Sequence, residues 1–364
     1  MPPTDHLTGW RFLAAIIVVI FHFGRHLPWV QAFPLLAMGP PMVTLFFVLS
    51  GFVLAWRYAS LAGDVDWCAY AVARMARILP LYFLALAVCA GLGHFQQPFS
   101  GLLNGFLLQA WVPFYALTGN GPGWSISVEV FFYALFPWLV TGFLGSRGSA
   151  MWLLVLTGTV FVMVQSGLIW LRSSSAYHEI QPSVPHELIF YFPLSHLPSF
   201  LMGVWVGAMT RNRQVGTGRV AWLFDLGFLL LLGLLVRIAW DRVAHEWRLG
   251  GVPLLYDASL LGPLFALMLY FSLFGRFVPR LFASRSWQVL GQSSYAIYIM
   301  QVPIHELLTR NIAVDWSTPS FFLVYLLILS VTGMWLNRCV EQPLNKRLRA
   351  LRASEPLAVI QSKR

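Results

Sequence analysis

The sequence predicts an all-α, polytopic integral membrane protein, a helix bundle of about ten transmembrane spans, and three observations predict it. Of the 364 residues 58% are hydrophobic and 10% charged, where a soluble domain carries roughly 25% charged residues, and mean hydropathy is +0.69. Apolar runs long enough to cross a bilayer core of about 30 Å, which takes about 20 helical residues, recur from end to end. Lys and Arg crowd into alternate connections, as they do in cytoplasmic loops.

The runs lie at residues 10–25, 36–56, 78–93, 124–145, 150–171, 190–209, 220–240, 253–274, 288–308 and 317–338. Their length and the need to satisfy every backbone group within lipid favour helices over a barrel, whose signature is alternating strands of about ten residues. With the N-terminus inside, the cytoplasmic set is Arg11, Arg57, Arg74, Arg77, Arg147, Arg211, Arg213, Arg219, Arg276, Arg280, Arg285, Arg338, Lys346, Arg347, Arg349, Arg352, Lys363 and Arg364, which leaves six of the 24 basic residues outside. An eleventh crossing at 99–117 would move the Arg211–Arg219 cluster to the other side. That segment is therefore expected to be re-entrant or surface-lying, and both termini cytoplasmic. The connections are too short for an appended soluble domain of conventional size, so residues 1–350 read as one membrane domain and 351–364 as a short cytoplasmic tail. Phe12–Phe21 is a poor signal-peptide core because His22, Arg25 and His26 follow it.

The net charge of +10 reflects this topology, since no basic helix is interleaved with aromatic residues as nucleic-acid binding would need. Cys68, Cys89 and Cys339 show no CxxC spacing, so neither a disulfide framework nor a metal site is expected.

Ionisable residues inside a membrane are costly and are candidates for function. Arg11 and His22 are eleven residues apart, so they lie about 20° apart on one helix face and about 16 Å apart along the axis. A neutral imidazole can accept a proton near neutral pH; a structural His bonded to a carbonyl would look the same in sequence. Arg74 and Arg77, at i and i+3, would form a guanidinium fork suited to phosphates, although topology alone accounts for basic residues there. Glu129 is the only acid between Asp66 and Glu179. On a helix starting near Trp124, it shares a face with Ser125 and Tyr133 at four-residue spacing, and a helix-start acid is also favoured by the helix dipole.

These pieces, in this order, resemble the acyltransferase 3 family over nearly the whole chain. The resemblance rests on Leu7-Thr8-Gly9-Trp10-Arg11 running to Phe21-His22, on Leu45–Phe52, and on Arg74-x-x-Arg77 with Pro80 and Tyr82. It continues through Trp124–Pro137, Ser293-Ser294-Tyr295-Ala296-Ile297-Tyr298 and Val340-Glu341-Gln342-Pro343. It implies a ten-helix enzyme that takes an acyl group, usually acetyl from acetyl-CoA, to a sugar hydroxyl of a polysaccharide, lipopolysaccharide or lipid-linked oligosaccharide. It also implies functional roles for Arg11, His22, Arg74, Arg77 and Glu129. Two positions depart from the family: Thr8 stands where Asp is usual, and Gln301 where His is usual.

The resulting expectation is that acetyl-CoA docks at the cytoplasmic face on Arg74, Arg77 and Arg11 and extends its thioester arm toward His22. The imidazole would serve as general base or carry the acyl group. Glu129, starting at the opposite face, would orient the acceptor or the imidazole. A chain of this size resembles the exopolysaccharide acetyltransferases that decorate xanthan-type polymers. The rival from another class is a glycolipid transporter or flippase, which often shows two related halves; the sequence has no visible internal repeat.

Overall fold

The computed structural model describes residues 4–58, 65–95, 97–144, 149–178, 182–210, 220–244, 248–249, 252–253 and 258–353. Arg147, Arg211, Arg213, Arg219, Lys363, Arg364 and the tail from 354 lie outside the described residues. The first half of the chain carries α1 His6–Phe23, α2 Pro28–Ala32, α3 Gly39–Tyr58, α4 Trp67–Gly91, α5 Pro98–Gly105, α6 Trp124–Leu139, α7 Ser149–Arg172 and α8 Val184–Phe190. The second half carries α9 Pro193–Thr210, α10 Ala221–Ala244, α11 Gly262–Phe274, α12 Phe277–Leu281, α13 Arg285–Gln292, α14 Ser294–Asn311, α15 Pro319–Leu336 and α16 Gln342–Ala353. Strand structure among the described residues is one two-residue antiparallel pair, Arg248–Leu249 with Val252–Pro253.

Among the described residues, eight helical stretches are long and apolar enough to cross a membrane: His6–Phe23, Gly39–Tyr58, Trp67–Gly91, Gly121–Gly142, Ala150–Arg172, Val184–Thr210, Ala221–Asp241 and Pro319–Leu348. The two other runs expected to span are the shorter apolar helix Ser259–Phe274 and α14, which has 18 residues but carries His305, Glu306 and Arg310 in its last turns. The third span begins well before residue 78, because the Asp66 carboxylate caps the helix by accepting from the Ala69 amide at 2.9 Å. Arg74 and Arg77 thus sit inside α4 rather than in front of it.

The centre of the bundle is α3 against α9, an approach so close that a Cβ at Gly51 would collide with the Phe200 carbonyl and one at Gly203 with the Val48 carbonyl. Small residues permit such backbone contact between membrane helices. Helices α7, α10 and α15 lie at the periphery and present Trp152, Met163, Trp170, Trp222, Leu230, Leu327 and Trp335 outward, the surface that lipid would solvate.

Residues 98–123 form no spanning helix. They make α5, short 3₁₀ turns at Gln109–Trp111 and Gly121–Gly123, and left-handed backbone at Leu107, Phe114 and Gly119. Irregular backbone at membrane depth survives only where protein satisfies it. Here the Tyr82 hydroxyl donates to the Asn104 carbonyl at 2.8 Å, and Gln109 Nε2 donates to the Gly123 carbonyl at 3.0 Å. The fully buried Asn104, Gln109 and Asn120 show that this segment enters the protein interior.

Prolines inside helices strip an N–H from the carbonyl four residues earlier, and two of these carbonyls are repaired from elsewhere in the chain. Pro303 frees the Ile299 carbonyl, which accepts from Asn120 Nδ2 at 2.8 Å. Pro137 frees the Tyr133 carbonyl, which accepts from the Tyr70 hydroxyl at 3.1 Å. The first repair ties the irregular segment to α14; the second ties α4 to α6.

Candidate active site

A pocket between α1, α3, α4, α6 and α14 gathers Arg11, Ser50, Arg77, Ser125, Glu129 and Tyr298 around about 70 Å³ of space, several times the 10–15 Å³ or so that one water requires. Each wall follows from local sequence. On α6 the four-residue spacing of Ser125, Glu129 and Tyr133 puts all three on one face. The Glu129 carboxylate accepts from the Tyr133 hydroxyl one turn on and from the Ser50 hydroxyl at 3.1 Å. On α14 the Tyr298 hydroxyl meets Ser125 Oγ at 2.9 Å, and the Tyr295 hydroxyl donates to the Ile78 carbonyl of α4 at 2.6 Å.

The charged neighbours of Arg11 are Arg77, Glu129 and Arg74. Those of Arg77 include Glu129 and the buried Glu341. Among the described residues neither guanidinium comes within 4.0 Å of a Glu129 oxygen, so the carboxylate compensates the two cations across the pocket rather than by closing on either. Two cations and one carboxylate around a small opening leave a site that suits an anionic or strongly polar group.

The structure separates the two arginines expected to act as a fork. Arg77 lines the pocket. Arg74 is buried behind it, its guanidinium carbon 5.7 Å from the Tyr58 ring centre and 5.9 Å from that of Tyr70, with Nη2 donating to the Tyr58 hydroxyl at 3.5 Å. The cation that faces Arg77 is Arg11 of α1.

Glu129 was expected at the opposite membrane face, beside the acceptor or the imidazole. It shares a pocket with Arg11 instead, because residues 98–123 descend into the bundle and start α6 inside it. His22 does not line this pocket. It is exposed on the chain surface, and its Nδ1 lies 2.8 Å from Oε1 of Gln301. Its ring neighbours are Phe21 and Phe23; Phe23 stacks on His305 with centroids 4.1 Å apart.

A polar stripe on α14 connects the two places. Ser294 and Tyr298 line the pocket, Gln301 holds His22, and Gln301 Nε2 donates to the Tyr298 carbonyl at 2.7 Å. At 100° per residue, positions 294, 298, 301 and 305 fall within about 60° of one another. That arithmetic on the sequence would have found Tyr298 and Gln301 as site residues. Ser50 was visible as the hydroxyl in Phe46-Phe47-Val48-Leu49-Ser50-Gly51-Phe52. The buried His196, whose Nε2 donates to the Phe190 carbonyl at 3.0 Å and whose ring lies between Phe47 and Trp124, had no such signal.

The family model Acyl_transf_3, described as an acyltransferase domain, matches residues 5–338. The chain is similar to the protein named acyltransferase MdmB of Streptomyces mycarofaciens, at 33% identity over 160 residues, which is 38% of this chain and 40% of that protein. The match thus spans less than half the length of that relative. No solved structure matches the chain.

Proposed function

Because this chain belongs to the acyltransferase 3 family, we propose that it is a membrane O-acetyltransferase moving an acetyl group from acetyl-CoA to a sugar hydroxyl. The acceptor is a surface or exopolysaccharide or its lipid-linked precursor. The observation that carries this reading is the shared face of α1 and α14, with a cationic pocket at one end and an imidazole at the other.

In this reading Arg11 and Arg77 receive the donor, with Arg74 behind them against Tyr58 and Tyr70, and Glu129 offsets the charge of both pocket cations across the opening. The thioester arm extends along α1 toward His22, and the axial distance of about 16 Å is of the order of that arm. His22 takes the proton of the acceptor hydroxyl while the alkoxide oxygen attacks the acetyl carbonyl. The C–S bond then breaks, the ester forms, and the CoA thiolate leaves to be protonated. The distribution of Lys and Arg supports cytoplasmic termini in a bacterial inner membrane and so entry of the donor from the cytoplasm.

The test is the O-acetyl content of surface polysaccharide, read by proton NMR, in a strain lacking the protein and complemented with wild type or His22→Ala at matched membrane abundance. Restoration by wild type alone is expected. Equal restoration by both would remove His22 from the chemistry, and an unchanged acetyl signal on deletion would favour glycolipid transport.

A further inference from the structure

We infer that Gln301 is a positioning residue that locks the His22 imidazole in the form with hydrogen on Nδ1 and the lone pair on Nε2. The inference rests on the reading of His22 as the base.

The argument starts from the amide. Gln301 Nε2 lies 2.7 Å from the Tyr298 carbonyl, and an amide oxygen placed there would face another acceptor. The nitrogen must therefore take that side, which fixes Oε1 toward His22 at 2.8 Å. An amide oxygen only accepts, so Nδ1 of His22 carries the hydrogen and donates it. In the neutral ring the lone pair is then on Nε2. Hydrogens follow here from the network of heavy atoms, and the network leaves the amide one orientation.

The amide is itself held. Gln301 is fully buried, and its backbone carbonyl accepts from the Tyr325 hydroxyl at 2.9 Å. Tyr325 packs edge-on against both Phe23 and His305. His22, by contrast, is exposed, so its ring orientation depends on this hydrogen bond more than on packing. A group that fixes one ring nitrogen decides what the other can do, and that is the role assigned to Gln301.

Nitrogen-15 NMR tests this without knowledge of the acceptor, because a ring nitrogen that carries hydrogen and one that carries a lone pair resonate far apart. In the purified full chain labelled with 15N-histidine in detergent, with His22 assigned by its loss in His22→Ala, Nδ1 of the neutral ring is expected at the position of a protonated nitrogen and Nε2 at that of a nitrogen with a lone pair. Gln301→Met, of similar length and without an amide, is expected to release that preference, so that the two nitrogens move toward each other. A lone pair on Nδ1 in the wild type, or the same pattern in wild type and Gln301→Met, would overturn the inference; Gln301→Leu provides a second variant should Gln301→Met not reach the membrane.

Kinetics separate this inference from the proposed function. With radiolabelled acetyl-CoA and isolated membranes, Gln301→Met is expected to lower kcat about 10–100-fold, short of the roughly 10²–10⁴-fold associated with loss of a general base, with KM for acetyl-CoA nearly unchanged. If His22→Ala is inactive while Gln301→Met keeps the wild-type kcat, the positioning role fails and the proposed function stands. If His22→Ala itself retains activity, the reading of His22 fails and takes the catalytic use of Gln301 with it.

Discussion

Arg11 and His22 stand on one face of α1, about 16 Å apart, and the protein surrounds them differently. Arg11 is half-buried in a pocket to which five helices contribute, with Arg77, Arg74 and Glu129 as charged neighbours. His22 is exposed and tied to the rest of the chain by the amide of Gln301. The pocket end is integrated into the fold, so changes there disturb stability and chemistry together. The imidazole end can lose its chemistry while the fold persists.

The largest expected effect tests that division directly. Glu129→Leu removes the compensating charge from Arg11 and Arg77 together with the acceptor for Tyr133 and Ser50. It is expected to cost about 2–3 kcal/mol, below the roughly 3–5 kcal/mol of breaking a fully buried pair because Glu129 is half-buried. His22→Ala is expected to abolish transfer and to cost no more than the 0.5–1.5 kcal/mol or so of one hydrogen bond. Thermal unfolding of the two variants in detergent checks the contrast, and equal destabilisation would erase it.

The strap between the two ends comes next. Asn120→Leu leaves the Ile299 carbonyl, already without its helical partner because of Pro303, with no donor. A buried orphaned acceptor costs about 1–3 kcal/mol. Pro303→Ala in the same chain returns an N–H to that carbonyl, so the double variant is expected to be more stable than the sum of the singles. Simple additivity would show that Asn120 serves some other purpose.

A smaller effect is expected of Tyr133→Phe, which removes one of the two hydroxyls on Glu129 and leaves Ser50 in place. About 1 kcal/mol is the scale of one such bond. Loss of activity well beyond that loss of stability would place Tyr133 in the chemistry of the pocket.

Spanning helices were legible because the bilayer sets their length and apolar composition, and the absence of a crossing at 99–117 followed from charge distribution. The start of α4 was not, because a cap at Asp66 extends a helix beyond its apolar run. In the candidate site, the common face of Ser125, Glu129 and Tyr133 could be read from helical period, as could that of Arg11 and His22. The depth of Glu129 could not. It depends on how far an irregular segment sinks into the bundle, and that is set by buried amides at Asn104, Gln109 and Asn120 whose partners are remote in sequence. Arg74 and Arg77 differ for a related reason: a three-residue step turns the helix by about 60° short of a full circle, enough to aim one at the pocket and the other at Tyr58 and Tyr70.

The smallest expected effect concerns the far end of α14, where His94 bridges the irregular segment to the helix. Its Nδ1 lies 2.7 Å from the Gly119 carbonyl and its Nε2 2.8 Å from Oε1 of Glu306. Both nitrogens face acceptors, which only the imidazolium satisfies with two donors. Partial burial pulls the imidazole below its ordinary value of 6.5, but the hydrogen bond to Glu306, the Gly119 carbonyl and the charge of Glu306 outweigh it, so the net direction is upward. A pKa raised by folding means a stabilising contribution that is complete below the unfolded value and lost as pH rises through the folded one. The wild type is therefore expected to lose a small margin of thermal stability over His94→Gln as pH rises from the ordinary imidazole value of 6.5 through the raised value of the folded state, with solvent screening keeping that margin modest. Because this clamp lies at the end of α14 remote from Arg11, its release should leave the charge balance of the pocket intact while loosening the segment that positions α6. A pH-dependent margin that vanishes in Glu306→Gln would attribute it to this bridge; one that survives that change would assign it to another titrating group.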